Sequence, residues 1–124
     1  MKNYYRVFLL ALLITPVMAL AQSASKEIQV PFKFGLGKSL YEKHCGSCHG
    51  NNGFGVDEKG PPLMHKYYEP SHHGNQSFIR AIKNGVKQHH WNFGKMEPIP
   101  ELNDRSISKI ISYVRWLQLQ HGIF

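Results

Sequence analysis

Two thiols and an imidazole are gathered in the stretch EKHCGSCHG, residues 42–50. Cys45 and Cys48 are the only cysteines of the chain, and His49 follows directly. Three chemistries use thiols at that spacing: a redox disulfide, half of a zinc site, or covalent attachment of a cofactor. The pattern Cys-x-x-Cys-His is that of c-type haem attachment. Two thiols about one helical turn apart can add to two vinyl groups on one edge of the macrocycle. The adjacent imidazole is then held beside the ring, where one nitrogen ligates iron and the other is oriented by an acceptor. A thioredoxin-like pair needs strands and a βαβ pattern that the chain does not offer. Zinc needs further ligands, which the remaining histidines supply only loosely.

A second ligand for such an iron has to come from elsewhere in the chain. Of the four methionines, Met1 and Met18 lie in the N-terminal apolar stretch, leaving Met64 and Met96. A thioether is soft and neutral, favours ferrous iron and raises a reduction potential. Met96 sits in FGKMEPIP, a Gly- and Pro-rich loop that can curl around a haem edge, so it is the expected ligand. Met64 follows His49 closely and is expected to fill core space. Trp91 and Phe93, just before Met96, are expected to cover the haem.

Five further histidines crowd the middle of the chain: His65, His72, His73, His89 and His90. Three readings stay open for them. They can be surface or loop-packing residues bonded to carbonyls, contacts for copper, zinc, nickel or a redox partner, or a sixth haem ligand or proton-linked group beside it.

The elements that must position these residues read as helices separated by long loops. After an extended lead-in, Leu40, Tyr41 and His44 suggest a helix over about 37–45, with His44 near the haem edge. GNNGFGVDEKGPP is punctuated as a loop. NQSFIRAIKNGV places Phe78, Ile79 and Ile82 on one side of a short helix that Gly85 ends. A second breaker-rich loop, KQHHWNFGKMEPIPEL, precedes DRSISKIISYVRWLQLQHG. There Ile107, Ile110, Ile111, Val114 and Leu117 form an apolar face and Gly122 is the stop. No strand pattern or repeat stands out. The expectation is an all-α domain whose loops are ordered around a large apolar cofactor.

The N-terminus, MKNYYRVFLLALLITPVMALAQ, has Lys2 and Arg6 before an apolar run and small residues at Ala19 and Ala21. It reads as a secretory signal peptide cleaved after about Ala21. An uncleaved anchor is the alternative, but the run falls short of the ~20 residues that span a bilayer, and Pro16 interrupts it. The expected organisation is signal peptide 1–21, lead-in 22–35 and one domain over 36–124. Export would favour a disulfide, yet a bridge closing so short a loop removes little entropy from the unfolded chain. The sequence carries 15 Lys+Arg against 8 Asp+Glu. The basic residues are spread out, so nucleic-acid binding is a poor reading, whereas a positive face can steer an acidic partner.

Over residues 36–121 the chain resembles the class I cytochrome c family. Gly37 and Tyr41 match the Gly-aromatic pair of that family's first helix, and Ile110 and Tyr113 the aliphatic-aromatic pair of its last. GPPL looks like the family's Gly-Pro-x-Leu. The resemblance implies N- and C-terminal helices crossing around one covalent haem. It also implies that the Pro61 carbonyl accepts the second ring proton of His49 and that Leu63 packs on the haem. Two departures are the histidine-rich middle and Glu97, which intervenes between Met96 and Pro98.

These readings lead to one expectation of function: a periplasmic one-electron carrier, not an enzyme, with haem held by Cys45 and Cys48 and ligated by His49 and Met96. It would dock transiently with redox proteins bearing an acidic surface, without stable membrane insertion. Two alternatives are a haem enzyme or gas-binding cytochrome with a labile position opposite His49, and a copper-handling cytochrome that uses the extra histidines.

Overall fold

The computed structural model describes residues 28–124. The expected signal peptide and the start of the lead-in lie outside these residues. No described helix is long and apolar enough to cross a membrane.

The lead-in does not stay extended to residue 35. Pro31, whose ring fixes φ at −58°, caps a 3-10 turn over Phe32–Phe34 that runs into helix α1, Gly35–His44. The Pro31 carbonyl accepts from the Phe34 N–H at 2.9 Å, and the Phe34 ring stacks on Trp116 at 5.4 Å. That aromatic contact anchors the turn, so α1 begins two residues earlier than the spacing predicts. After Cys45 a single further turn forms, α2, Gly46–His49. Helix α3 spans Asn75–Asn84 and helix α4 Asp104–Gln120. A short 3-10 turn over Lys66–Tyr68 lies between α2 and α3. Among the described residues there is no strand, only isolated bridges pairing Val56 with Gly60 and Val86 with Met96. The fold is all-α.

Helix α4 follows its periodicity. The Asn103 side chain accepts from the Ser106 N–H at 2.9 Å, capping the first turn. Ile107, Ile110, Ile111, Val114 and Leu117 are all buried. Gly122, at φ 71°, follows the last turn, and the Ile123 N–H returns to the Gln118 carbonyl.

Helices α1 and α4 meet at Gly37, where a Cβ would stand 2.2 Å from the Lys109 carbonyl oxygen and 2.9 Å from Tyr113 Cβ. Only glycine allows that approach. It lets the buried ring of Tyr41 pack on Tyr113, with centroids 5.6 Å apart, and the Tyr41 hydroxyl donates to the Gly50 carbonyl at 2.8 Å. The helix pair thereby fixes both ends of the turn that carries Cys45, Cys48 and His49.

Candidate functional site

That turn is held by its own backbone. The Cys45 N–H bonds to the Tyr41 carbonyl at 2.8 Å, and the His49 N–H to the Cys45 carbonyl at 2.9 Å. Both cysteines are free thiols, Cys45 buried and Cys48 exposed. Burial, reinforced by the charge of a neighbouring Cys48 thiolate, pushes the Cys45 thiol up to about 11. A reactive Cys-x-x-Cys pair has the opposite signature, a depressed thiol pKa. The environment of Cys45 therefore argues against thiol–disulfide redox chemistry.

The loop after α2 folds back onto the histidine. The Gly55 N–H bonds to the His49 carbonyl at 2.7 Å, and the Leu63 N–H to the Gly53 carbonyl at 2.7 Å. Pro61 is thereby brought round so that its carbonyl oxygen lies 2.8 Å from His49 Nδ1. A carbonyl can only accept, so Nδ1 carries the proton and Nε2 keeps its lone pair for a metal. Burial lowers the His49 pKa, with the Pro61 bond pulling the other way. The ring is thus held neutral, as a ligand must be.

The other side is built by α3 and the loop behind it. Gly85 ends α3 at φ 74°, and a Cβ there would stand 2.5 Å from the Met96 carbonyl oxygen. This glycine therefore serves both the turn and the close passage of the returning chain. Val86 and Met96 exchange both backbone bonds at 2.9 Å, closing the loop that carries Trp91 and Phe93.

Between these parts lies a cavity of about 870 Å³, within the ~300–1,000 Å³ range of pockets that enclose a cofactor-sized ligand. Cys45, Cys48, His49, Pro61, Leu63 and Met96 all line it, with Tyr68, Phe78, Ile82, Trp91 and Phe93 adding apolar wall. Met64 is buried in the core and is not part of that lining; it lies against Gly53, as does Leu117 of α4. The donor set suits a covalently held haem: two unpaired thiols on one turn, a neutral imidazole with its tautomer fixed, and a thioether on the same cavity. Trp91 Nε1 is buried there without a hydrogen-bond partner among the described residues. The Tyr68 hydroxyl feels the indole N–H, which partly offsets the upward push of burial on its pKa, but the two do not reach hydrogen-bond geometry. An acceptor on a bound group would satisfy the indole.

The remaining histidines take different places. The His65 ring accepts from the Tyr67 N–H at 3.2 Å and caps the 3-10 turn. His44 lines the cavity and sits 3.4 Å from Glu101. His72, His73, His89 and His90 pack as one group, the His89 and His90 ring centroids 4.4 Å apart and those of His72 and His73 4.8 Å. Two residues of α4 that the sequence reading passed over hold this region. Gln118, fully buried, donates to the carbonyls of Leu63 at 2.9 Å and Tyr68 at 3.1 Å. Arg115 donates to the Tyr68 carbonyl and to Gln118 Oε1, each at 2.7 Å, and also to the His73 carbonyl. Gln118 falls four residues after Val114 and seven after Ile111. The helical period itself therefore marked it as inward-facing despite its polarity.

No curated protein matches the chain. A family model described as cytochrome c matches residues 35–118, from the first residue of α1 almost to the end of α4. It covers well over half of the sequence and every element that lines the cavity. The chain belongs to the cytochrome c family, whose members are haem-binding electron-transfer proteins.

Proposed function

We propose that the protein is a one-electron carrier rather than an enzyme, with haem attached through Cys45 and Cys48 and the iron held between His49 and Met96. The observation that carries this reading is the single cavity lined by both thiols, a neutral His49 and the thioether-bearing loop. Bound haem supplies a metal that alternates between ferric and ferrous states, taking up and releasing one electron. The protein's residues do the rest. Pro61 orients His49, while the Val86–Met96 pair fixes the backbone of the second ligand. Leu63, Phe78, Ile82 and Phe93 exclude water, so the site changes charge with little rearrangement. If His49 and Met96 both hold the iron, the chain itself would supply its ligands and no coordination site would be left for a substrate.

Lys59, Arg80, Lys87 and Lys95 also line the cavity, against the single acid Glu97, which pairs with Lys95 at 2.7 Å. This imbalance supports docking of an acidic redox partner at the haem edge, accelerated at low ionic strength. The N-terminal stretch supports export to the periplasm and cleavage after about Ala21.

The test is the absorption spectrum of the holoprotein, ferric and ferrous, with and without carbon monoxide, beside Met96→Ala. A low-spin parent that ignores carbon monoxide and shows the weak far-red band of methionine on ferric haem, lost in the variant, is expected. A parent that binds carbon monoxide readily, or is unchanged by loss of Met96, would refute this ligation and move the reading toward catalysis or gas binding.

A further inference from the structure

The histidine group is built from two separate loops. His72 and His73 precede α3, whereas His90 lies in the loop closed by Val86 and Met96. His72 Nε2 and His90 Nε2 stand 3.3 Å apart. With His73 they form a group whose ligand nitrogens all lie within 4.8 Å of one another. Two nitrogens bound at about 2.0 Å to a tetrahedral ion stand about 3.3 Å apart. The His72–His90 separation is therefore that of two ligands already sharing a metal position.

The surroundings orient the rings. His73 Nδ1 bonds to the Tyr67 carbonyl, which places its proton on Nδ1 and leaves Nε2 as the donor, the arrangement common to metal-binding histidines. The His90 ring stacks on Tyr67, centroids 4.5 Å apart. Arg115 donates to the His73 carbonyl and, at 2.9 Å, to Asn75 Oδ1, tying the backbone beside His72 and His73 to α4. Much of the entropy of assembling the group is thereby removed on folding.

We propose that His72, His73 and His90 form a binding site for one divalent transition-metal ion, with His72 and His90 already at the separation of two Zn²⁺ ligands, His73 closing in as the third and water in the fourth position. Cu²⁺, which binds imidazole more tightly, takes the same three ligands. The site is separate from the axial ligands His49 and Met96. Because His73 and His90 also line the main cavity, an ion here clips together two loops that form one of its walls. It would place positive charge beside the cofactor without touching the iron.

The experiment is calorimetric titration of chelator-treated holoprotein with ZnCl₂, paired with electron paramagnetic resonance after CuSO₄ is added. One Zn²⁺ per chain is expected, with nitrogen splitting on the Cu²⁺ signal. His72→Gln, an exposed change, and His90→Ala should each weaken Zn²⁺ binding about tenfold or more. His121→Ala, whose ring packs on Phe54 instead, should leave it unchanged. Unaltered haem absorbance in each variant shows that the fold and the axial ligands persist, so failure here is distinguishable from failure of the electron-transfer reading. Absence of stoichiometric binding, binding that survives in both His72→Gln and His90→Ala, or binding lost in His121→Ala would overturn the proposal.

Discussion

Replacing Gly37 with alanine tests the helix crossing that underlies the whole site. In an isolated helix the change would gain about 1 kcal/mol, because alanine costs less backbone entropy than glycine. In this protein the added Cβ would stand 2.2 Å from the Lys109 carbonyl oxygen, more than 1 Å short of the 3.4 Å at which contact becomes ordinary. The obstacle is backbone, which cannot rotate aside as a side chain could, so α1 and α4 must separate. Overpacking of this kind costs about 1–3 kcal/mol. Loosening the Tyr41–Tyr113 contact adds about 0.5–1.5 kcal/mol. Offset by the propensity gain, the net loss is about 1–3 kcal/mol. Gly35→Ala supplies the opposite control: no atom lies within 4 Å of its Cβ position and its backbone is already helical at φ −55°. It should gain as much as about 1 kcal/mol. Denaturant unfolding of both holoproteins, followed by circular dichroism at equal m, measures the two shifts. A Gly37→Ala protein as stable as its parent would refute the close crossing.

Tyr41 and Gln118 offer two further perturbations. Burial raises the Tyr41 pKa, with Cys45 and Tyr113 adding to it, so the unfolded chain ionises first, near its ordinary value of about 10. Above that pH the folded state binds more protons, and stability falls as pH rises. Tyr41→Phe should cost about 1 kcal/mol at neutral pH by removing the hydroxyl's bond to the Gly50 carbonyl, which keeps only its bond from the Gly53 N–H. It should also lose stability less steeply in alkali, although burial likewise raises Tyr68 and Tyr113. Identical alkaline slopes in denaturant melts would contradict the assignment. Gln118→Leu keeps approximate size but strips the buried donor from the Leu63 carbonyl. A loss of about 1–3 kcal/mol in the same melts is expected, and no loss would mean that the amide does not hold that loop.

What the sequence determined by itself was whatever depends on neighbours along the chain. The Cys45-x-x-Cys48-His49 spacing is a property of one helical turn. The period of Ile107, Ile110, Val114 and Leu117 is a property of one helix, and the glycines mark ends because Gly85 directly follows α3 and Gly122 comes one residue after the last turn of α4. These elements therefore appear where the pattern puts them, within a residue or two. The start of α1 was less legible, because its extension to Gly35 and the preceding 3-10 turn rest on Phe34 meeting Trp116 from the far end of the chain. The breaker-rich loop already set Met96 apart from Met64 as the expected ligand, but only tertiary structure placed Met96 on the cavity wall and Met64 in the core, because that depends on which wall each loop joins. It alone placed Arg115 and Gln118 beneath the loop after α2, satisfying carbonyls some fifty positions away. It also brought His90 to within 3.3 Å of His72 across eighteen positions of sequence. Side chains far apart in the chain meet only where packed helices have fixed the loops between them, and no local periodicity encodes that meeting.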